Sequence, residues 1–402
     1  MMTATTNSPT MNNGTTLGSI RGDFPMLAHC TYFNCGGIAP LSNQVGAELL
    51  RVPQAVIAEG PARMLSRDDS FLGLESARAR LANFVGADPD EIAFTTQFST
   101  AVNIVVEGLA WQAGDEVIVT DQEHPALLTP LMNVVRRHNL KVQRIPVSHD
   151  ADEMLASFKA ALSPRTKLVA VSHVTTDSGT ILPVEEMTRL AHEQGSFVLY
   201  DGAHTAGQFP LDLHSLNCDF YALVGYKWLF GPYPSAALYI RRDLIDQIEV
   251  TWTGSNVTQR GSVTMGVEDL QWIPGMRRFE YGGRTYAYDT ALGAGVAYVE
   301  ALGIEAIQAH ARHLTAYFHD ALQSVPGVTI RSPRDLHKTT GITTIALDNM
   351  DGVKLSAALR ERYNMLQRAA LWGSSVRISL AAFIEESDVD ALVQALQSLA
   401  KE

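Results

Sequence analysis

Five stretches of this 402-residue chain place ionisable or hydroxyl side chains directly behind short apolar runs. Gln97, Phe98, Ser99 and Thr100 follow EIAFT at 91–95, and Glu123 and His124 follow EVIVT at 116–120. Ser172 and His173 lie near the end of KLVAVSHV at 167–174. Asp201 closes FVLYD at 197–201 with His204 just behind it, and Tyr226 and Lys227 follow FYALVG at 220–225. A lysine amine kept neutral can attack a carbonyl and carry it covalently. A carboxylate one strand away can hold the proton of a heterocyclic ring nitrogen and turn that ring into an electron sink. His124 offers a flat ring for stacking. QFST, opening a helix, offers N–H groups and hydroxyls to a phosphate.

Such a set works only if the fold gathers it at one rim. From about residue 70, helical patterns around 70–85, 99–110, 125–139, 151–162 and 184–194 alternate with strand patterns. The strand patterns are 91–95, 116–120, 141–147, 167–174, 197–201, 220–225 and 236–240, several of them continuous apolar runs expected of strands buried on both faces. The alternation predicts an α/β fold with a mostly parallel seven-stranded sheet covered by helices. Ligands of such sheets bind beyond the carboxyl ends of the strands. All five polar groups then meet at one edge, where Lys227 and Asp201 form the pair that pyridoxal 5'-phosphate (PLP) requires.

The flanking regions read differently. Residues 1–20 are Thr/Asn-rich and are expected to be a disordered tail. Residues 21–65 hold TYFNCGGIAPLS, with a turn at Gly36, Gly37 and Pro40, and are expected to pack on a smaller C-terminal domain. The large domain is expected to span 66–290. Residues 291–402 read as a small α+β domain with strands VTIRS (328–332), GITTIAL (341–347) and VRISL (376–380) before a final helix.

Composition narrows the class. Apolar residues make up 46% and charged residues 18%, with a net charge of −12, so a basic nucleic-acid footprint is not expected. No apolar run approaches the roughly 20 residues of a membrane span. The N-terminus has neither the apolar core of a secretory signal nor the arginines of a transit peptide. Three cysteines, Cys30, Cys35 and Cys218, make no disulfide framework, and Cys30 with Cys35 is a poor zinc signal. A cytoplasmic, metal-free protein is expected. A dinucleotide-binding reading needs GxGxxG after the first strand, where TQFSTA stands instead. A PLP-binding regulator needs an N-terminal DNA module, and residues 1–65 are short and not basic.

The segment YDGAHTAGQFPLDLHSLNCDFYALVGYKWLFGP, together with FEYGGRT, resembles the signature of the class V, fold-type I PLP-dependent enzymes. That family includes cysteine desulfurases, cysteine and cystine C–S lyases, isopenicillin N epimerase-like proteins and kynureninase. The resemblance runs from TYFNCGGIAPLS to VRISLAAF. It implies a fold-type I transferase fold, PLP as cofactor, an amino-acid substrate and a homodimer. It implies that Lys227 is the Schiff-base lysine and Asp201 the carboxylate on the pyridine nitrogen. His124 is implied as the stacking ring. His204, where desulfurases carry Gln, is implied on the ring-hydroxyl or phosphate side. Gln97, Phe98, Ser99 and Tyr226 are implied around the phosphate, and His173 near cofactor or substrate. Arg377 is implied on the substrate carboxylate, with Asn34 and Gly36 nearby. Tyr226 reads equally as packing, and Gly36-Gly37 equally as a plain turn. Cys35 falls in a segment that lines the substrate entrance in the family.

FEYGGRT resembles an element that reaches toward the neighbouring subunit's phosphate, with Gly283 and Arg284 in the matching places. Gly283 replaces a threonine there. A second departure concerns chemistry. Desulfurases carry a nucleophilic cysteine shortly before the Arg377 position, and no cysteine follows Cys218 in this chain. The expectation is therefore β-elimination from cysteine, cystine or a cysteine S-conjugate, a lyase reaction. Epimerisation or transamination is the alternative, because each begins with the same α-proton.

Overall fold

The computed structural model describes residues 17–65, 69–259, 270–371 and 373–402. The large sheet holds β2 (Ile92–Thr95), β3 (Glu116–Thr120), β4 (Lys141–Ile145), β5 (Thr166–Ser172), β6 (Phe197–Asp201), β7 (Phe220–Val224) and β8 (Ala236–Ile240). Its order is β2-β8-β7-β6-β5-β3-β4. β8 runs antiparallel to both its neighbours, and the other pairs are parallel. Strand alternation divides the core. Val169 and Val171 of β5 enter one apolar layer, and Leu168 and Ala170 enter the layer on the opposite face. Both faces of the central strands are therefore covered, which explains why they read as unbroken apolar runs.

The N-terminal segment is divided between two partners. A short strand, β1 (Thr31–Tyr32), pairs in parallel with β11 (Met365–Leu366) of the C-terminal region. The helix Asn43–Glu59, capped by the Ser42 hydroxyl accepting from the Val45 N–H at 3.2 Å, packs instead on the helix Tyr286–Leu302. Residues 17–20 depart from the expected tail: Leu17 and Ile20 are buried in the core. Residues 1–16 lie outside the described residues.

The small domain carries an antiparallel sheet built from β9 (Val328–Ile330), β10 (Ile342–Leu347), β12 (Arg368–Ala369) and β13 (Val376–Ser379), in the order β12-β13-β10-β9. The sequence reading missed β12. Its register places Arg368 directly opposite Arg377. A cross-strand pair of like charges is unfavourable unless an anion sits near both.

Candidate active site

The carboxyl ends of β6 and β7, the start of the helix Phe98–Gly108, the loop at 34–38 and Arg368 of β12 enclose a cavity of about 420 Å³. Lys227, Asp201, His124, Phe98, Tyr226 and Arg368 are among its walls.

Lys227 follows β7 in a tight turn. Gly225 is needed there, because a Cβ would stand 2.4 Å from Leu292 and Ser235 side-chain atoms. The Lys227 amine is buried, which pulls its pKa down to about 7; Asp201 opposes that shift, and Arg377 and Arg368 reinforce it. A neutral amine, the nucleophilic and basic form, is thus accessible near pH 7. Asp201 closes β6, and its Oδ1 accepts the Ala203 N–H at 2.8 Å. Burial raises its pKa while Lys227 and the Ala203 N–H hold it down.

His204 lies between these groups and the indole behind them. Its Nε2 is 3.3 Å from Lys227 Nζ and 3.3 Å from Thr176 Oγ1, and Trp228 Nε1 donates to its Nδ1 at 3.2 Å. Burial and the neighbouring cations hold its pKa well below the usual histidine range.

His124 caps the helix Pro125–His138: its Nδ1 accepts the Ala126 N–H at 3.1 Å, and Pro125 takes the first helical position. That bond leaves Nε2 to carry the proton of the neutral ring. Burial and the Lys227, Arg368 and Arg377 charges lower its pKa to about 4. The preceding Glu123 is buried beneath the rim. It accepts Thr120 Oγ1 at 2.6 Å, Ser172 Oγ at 2.6 Å and the Ser172 N–H at 2.9 Å, and burial lifts its pKa to about 7. Glu123 and Ser172 therefore tie β3 to β5 and do not face the cavity.

Arg377, on β13, is fully buried. Its Nη1 donates to the Thr176 carbonyl at 2.9 Å and to Thr176 Oγ1 at 3.1 Å. Its Nε and Nη2 are buried without a partner. Those two atoms form one edge of the guanidinium, the edge that binds a carboxylate bidentately. Burial and Arg368 lower its pKa to about 9. Asn34 Oδ1 is also buried and unpartnered. Gly36 donates its N–H to Ser379 Oγ at 3.0 Å, and a Cβ on Gly36 would stand 3.0 Å from Arg377 Nη2. A Cβ on Gly37 would stand 2.6 Å from Asn34 Oδ1, so this glycine pair is more than a turn.

Several expected residues are placed elsewhere. His173 lies just past β5, and its ring turns into the opposite apolar layer, where Nδ1 is 2.8 Å from Tyr221 Oη. It lines a separate cavity with Phe209 and Leu182, and burial lowers its pKa to about 3. It does not reach Lys227 because side chains alternate across the sheet at this strand end. Gly283 and Arg284 line a third cavity with Thr95, Thr96 and Thr100. Arg284 pairs with Asp289 at 3.0 Å and donates to the Phe94 carbonyl at 3.0 Å, so within one chain it does not touch the Lys227 cavity. Gln97 is exposed, and Ser99 Oγ donates to the Ala126 carbonyl at 3.0 Å. The helix these residues open has no side-chain cap, which leaves its first N–H groups for a phosphate. Tyr226 faces the cavity, with its phenol pKa raised to about 12 by burial and its ring packed edge-on against Tyr233. Cys35 and Cys218 are buried, and no cysteine is among the cavity walls in the described residues.

The sequence reading missed Arg368, Thr176 and Trp228. Arg368 sits in a two-residue strand with no periodicity to mark it, and Trp228 reveals its role only through the bond of its indole N–H to His204.

The sequence and its fold agree with known proteins. The family model for aminotransferase class-V matches residues 68–392, and the chain belongs to that family of PLP-dependent enzymes. It is 32% identical over 360 residues to an isopenicillin N epimerase of Streptomyces clavuligerus, covering 87% of this chain and 90% of the relative. It is 29% identical over 406 residues to a cysteine desulfurase of Pectobacterium atrosepticum, covering 94% and 97%. Among solved structures, the cystine C–S lyase C-DES with its reaction product cysteine persulfide superposes with a TM-score of 0.85 at 26% identity, covering 93% of this chain and 99% of that one. A mutant of C-DES with glycine covalently linked to its PLP cofactor gives 0.86 at 26% identity, covering 94% and 98%. Pyridoxal phosphate is the cofactor of this enzyme class, and the residues here fit it. Lys227 would carry it, Asp201 would meet its ring nitrogen, His124 would offer a stacking face, and the uncapped helix start would receive its phosphate. The orphaned Arg377 edge would be left for a substrate carboxylate.

Proposed function

We propose that this protein is a C–S lyase that cleaves cysteine, cystine or a cysteine S-conjugate by β-elimination. The observation that carries the reading is a cavity with a near-neutral Lys227 and no thiol among its described walls, two of which, Thr176 and Gly36, lie against Arg377 and its unpartnered Nε–Nη2 edge. An enzyme that takes sulfur onto its own cysteine needs a thiol there, whereas elimination does not. Bound PLP supplies the electron sink for the deprotonated α-carbon. Arg377 holds the substrate carboxylate by its free Nε–Nη2 edge. Lys227 Nζ takes the α-proton. The electron pair of that C–H bond forms the Cα–Cβ double bond, the Cβ–S bond breaks, and the sulfur leaves with its pair and gains a proton. With one water consumed, the three-carbon fragment ends as pyruvate and ammonium. Arg368, facing the same cavity with no carboxylate bound to it among the described residues, suits a leaving group bearing its own acid.

A second reading rests on the 32% identity to an isopenicillin N epimerase: Lys227 would return the proton to the opposite face and keep the sulfur attached. We further propose a homodimer. Leu50 and Ile57 leave an apolar stripe exposed on the helix Asn43–Glu59, and Trp252 is exposed as well. The test is thiol and pyruvate release from a panel of cysteine S-conjugates, with Lys227→Ala as the blank. Lys227-dependent release of both supports elimination. Inversion of the α-carbon without either product supports the epimerase reading.

A further inference from the structure

We propose that Trp228 is a positioning residue that fixes the tautomer of His204, so that this histidine always presents a proton donor to the nitrogen of Lys227. An indole Nε1–H can only donate. Its bond to His204 Nδ1, at 3.2 Å, therefore requires that Nδ1 be bare. The ring is buried among Lys227, Arg377, Arg368 and His124, an environment that keeps it neutral. A neutral ring has one proton, and with Nδ1 bare that proton is on Nε2. Nε2 is the atom 3.3 Å from Lys227 Nζ. Thr176 Oγ1, also at 3.3 Å, already accepts from Arg377 Nη1, so it suits a second donor.

The local fold enforces this arrangement. Gln208 Nε2 donates to the His204 carbonyl at 2.7 Å, and Gln208 Oε1 accepts the Gly341 N–H at 3.0 Å from the small domain. Gly207, at φ +93°, brings this loop against the Trp228 backbone, where a Cβ would stand 2.3 Å from the Trp228 carbonyl. The histidine backbone is thus held on one side and its ring on the other. Histidine alone offers either a donor or an acceptor at Nε2; the indole removes the choice. A glutamine at the same position would present its amide N–H without any such partner, so the need for Trp228 comes from having His204.

The consequence falls on the proton affinity of Lys227 Nζ. A donor facing that nitrogen favours its unprotonated state, so loss of the lock raises its pKa. The experiment is a pH titration of the visible absorbance of the PLP-loaded protein, in wild type, Trp228→Phe, His204→Gln and the double variant. Trp228→Phe is expected to raise the spectral midpoint by about half a unit or more when His204 is present. In the His204→Gln background the same substitution is expected to leave the midpoint in place. The other charged groups facing the pair, Asp201 on β6, His124 on its helix, Tyr226 beside the lysine, and Arg368 and Arg377 on the hairpin, are common to all four proteins. They cancel in the comparison. Equal shifts in both backgrounds, or none in either, would overturn the proposal, since a tryptophan that merely fills space acts regardless of residue 204. A second measurement needs no Trp228 variant. In ¹⁵N-histidine-labelled loaded wild type, with His204→Gln used for assignment, the His204 ring is expected to show its proton on Nε2. A proton on Nδ1 would overturn the lock directly.

Discussion

Replacing Arg377 by lysine separates the charge of this residue from its shape. In wild type, Nη1 is already bound to Thr176 by two bonds, and Nε with Nη2 stays free as one flat edge. Lysine keeps a positive charge but offers a point donor in place of that edge. One charge-assisted hydrogen bond to the substrate carboxylate is then lost, at about 2 kcal/mol. That corresponds to roughly a 30-fold fall in kcat/KM. Alanine loses both bonds, about 4 kcal/mol, or nearly a thousandfold. Removing the charge also takes away one of the groups that lower the Lys227 pKa, so the alanine variant should titrate at higher pH. The assay is steady-state pyruvate release at fixed PLP loading, with bound cofactor measured by absorbance. Wild-type-like kcat/KM in the lysine variant, or an equal loss of bound cofactor and of activity, would refute the assignment of this edge to the substrate carboxylate.

Asp201→Asn should keep the cofactor bound and lower kcat on the order of a hundredfold, read by the same assay; full activity would remove Asp201 from the mechanism. Gly36→Ala places a Cβ 3.0 Å from Arg377 Nη2 and should raise KM on the order of tenfold with unchanged PLP content, measured by titration with substrate. His173 carries a pH prediction independent of the cofactor cavity. Its pKa is about 3 in the folded chain against 6.5 for an exposed histidine, so between those values the unfolded chain binds more protons and stability falls as pH falls. From pH 7 to pH 5 this histidine alone should cost about 2 kcal/mol, and His173→Gln should flatten the decline in denaturant titrations of the loaded protein. Sedimentation should give twice the 43.8 kDa chain mass. A monomer at micromolar concentration would leave the exposed Leu50–Ile57 stripe unexplained.

The sequence displayed the large sheet because its central strands are buried on both faces and read as unbroken apolar runs. It displayed Lys227, Asp201 and His124 because each follows such a run at a carboxyl end. It misjudged His173 by one residue: the strand closes at Ser172, and the next side chain turns to the opposite face. It hid Arg368, since a two-residue strand has no periodicity to detect, and only the register against β13 brings that arginine beside Arg377. It hid Thr176 and Trp228 for another reason. Their roles are hydrogen bonds to groups distant in the chain, and residue type alone does not announce a tautomer lock. Leu17 and Ile20 were concealed by their Thr/Asn-rich neighbours, although both close over the core.

A mass balance separates elimination at the Lys227 cavity from every reaction that leaves the sulfur in place. A cysteine S-conjugate labelled with ¹³C at Cβ is mixed with the loaded protein and followed by NMR. Pyruvate methyl signal and free thiol are expected to rise in equal amounts, both absent with Lys227→Ala. Label that stays bonded to sulfur while the α-carbon inverts or loses its amino group would rule elimination out.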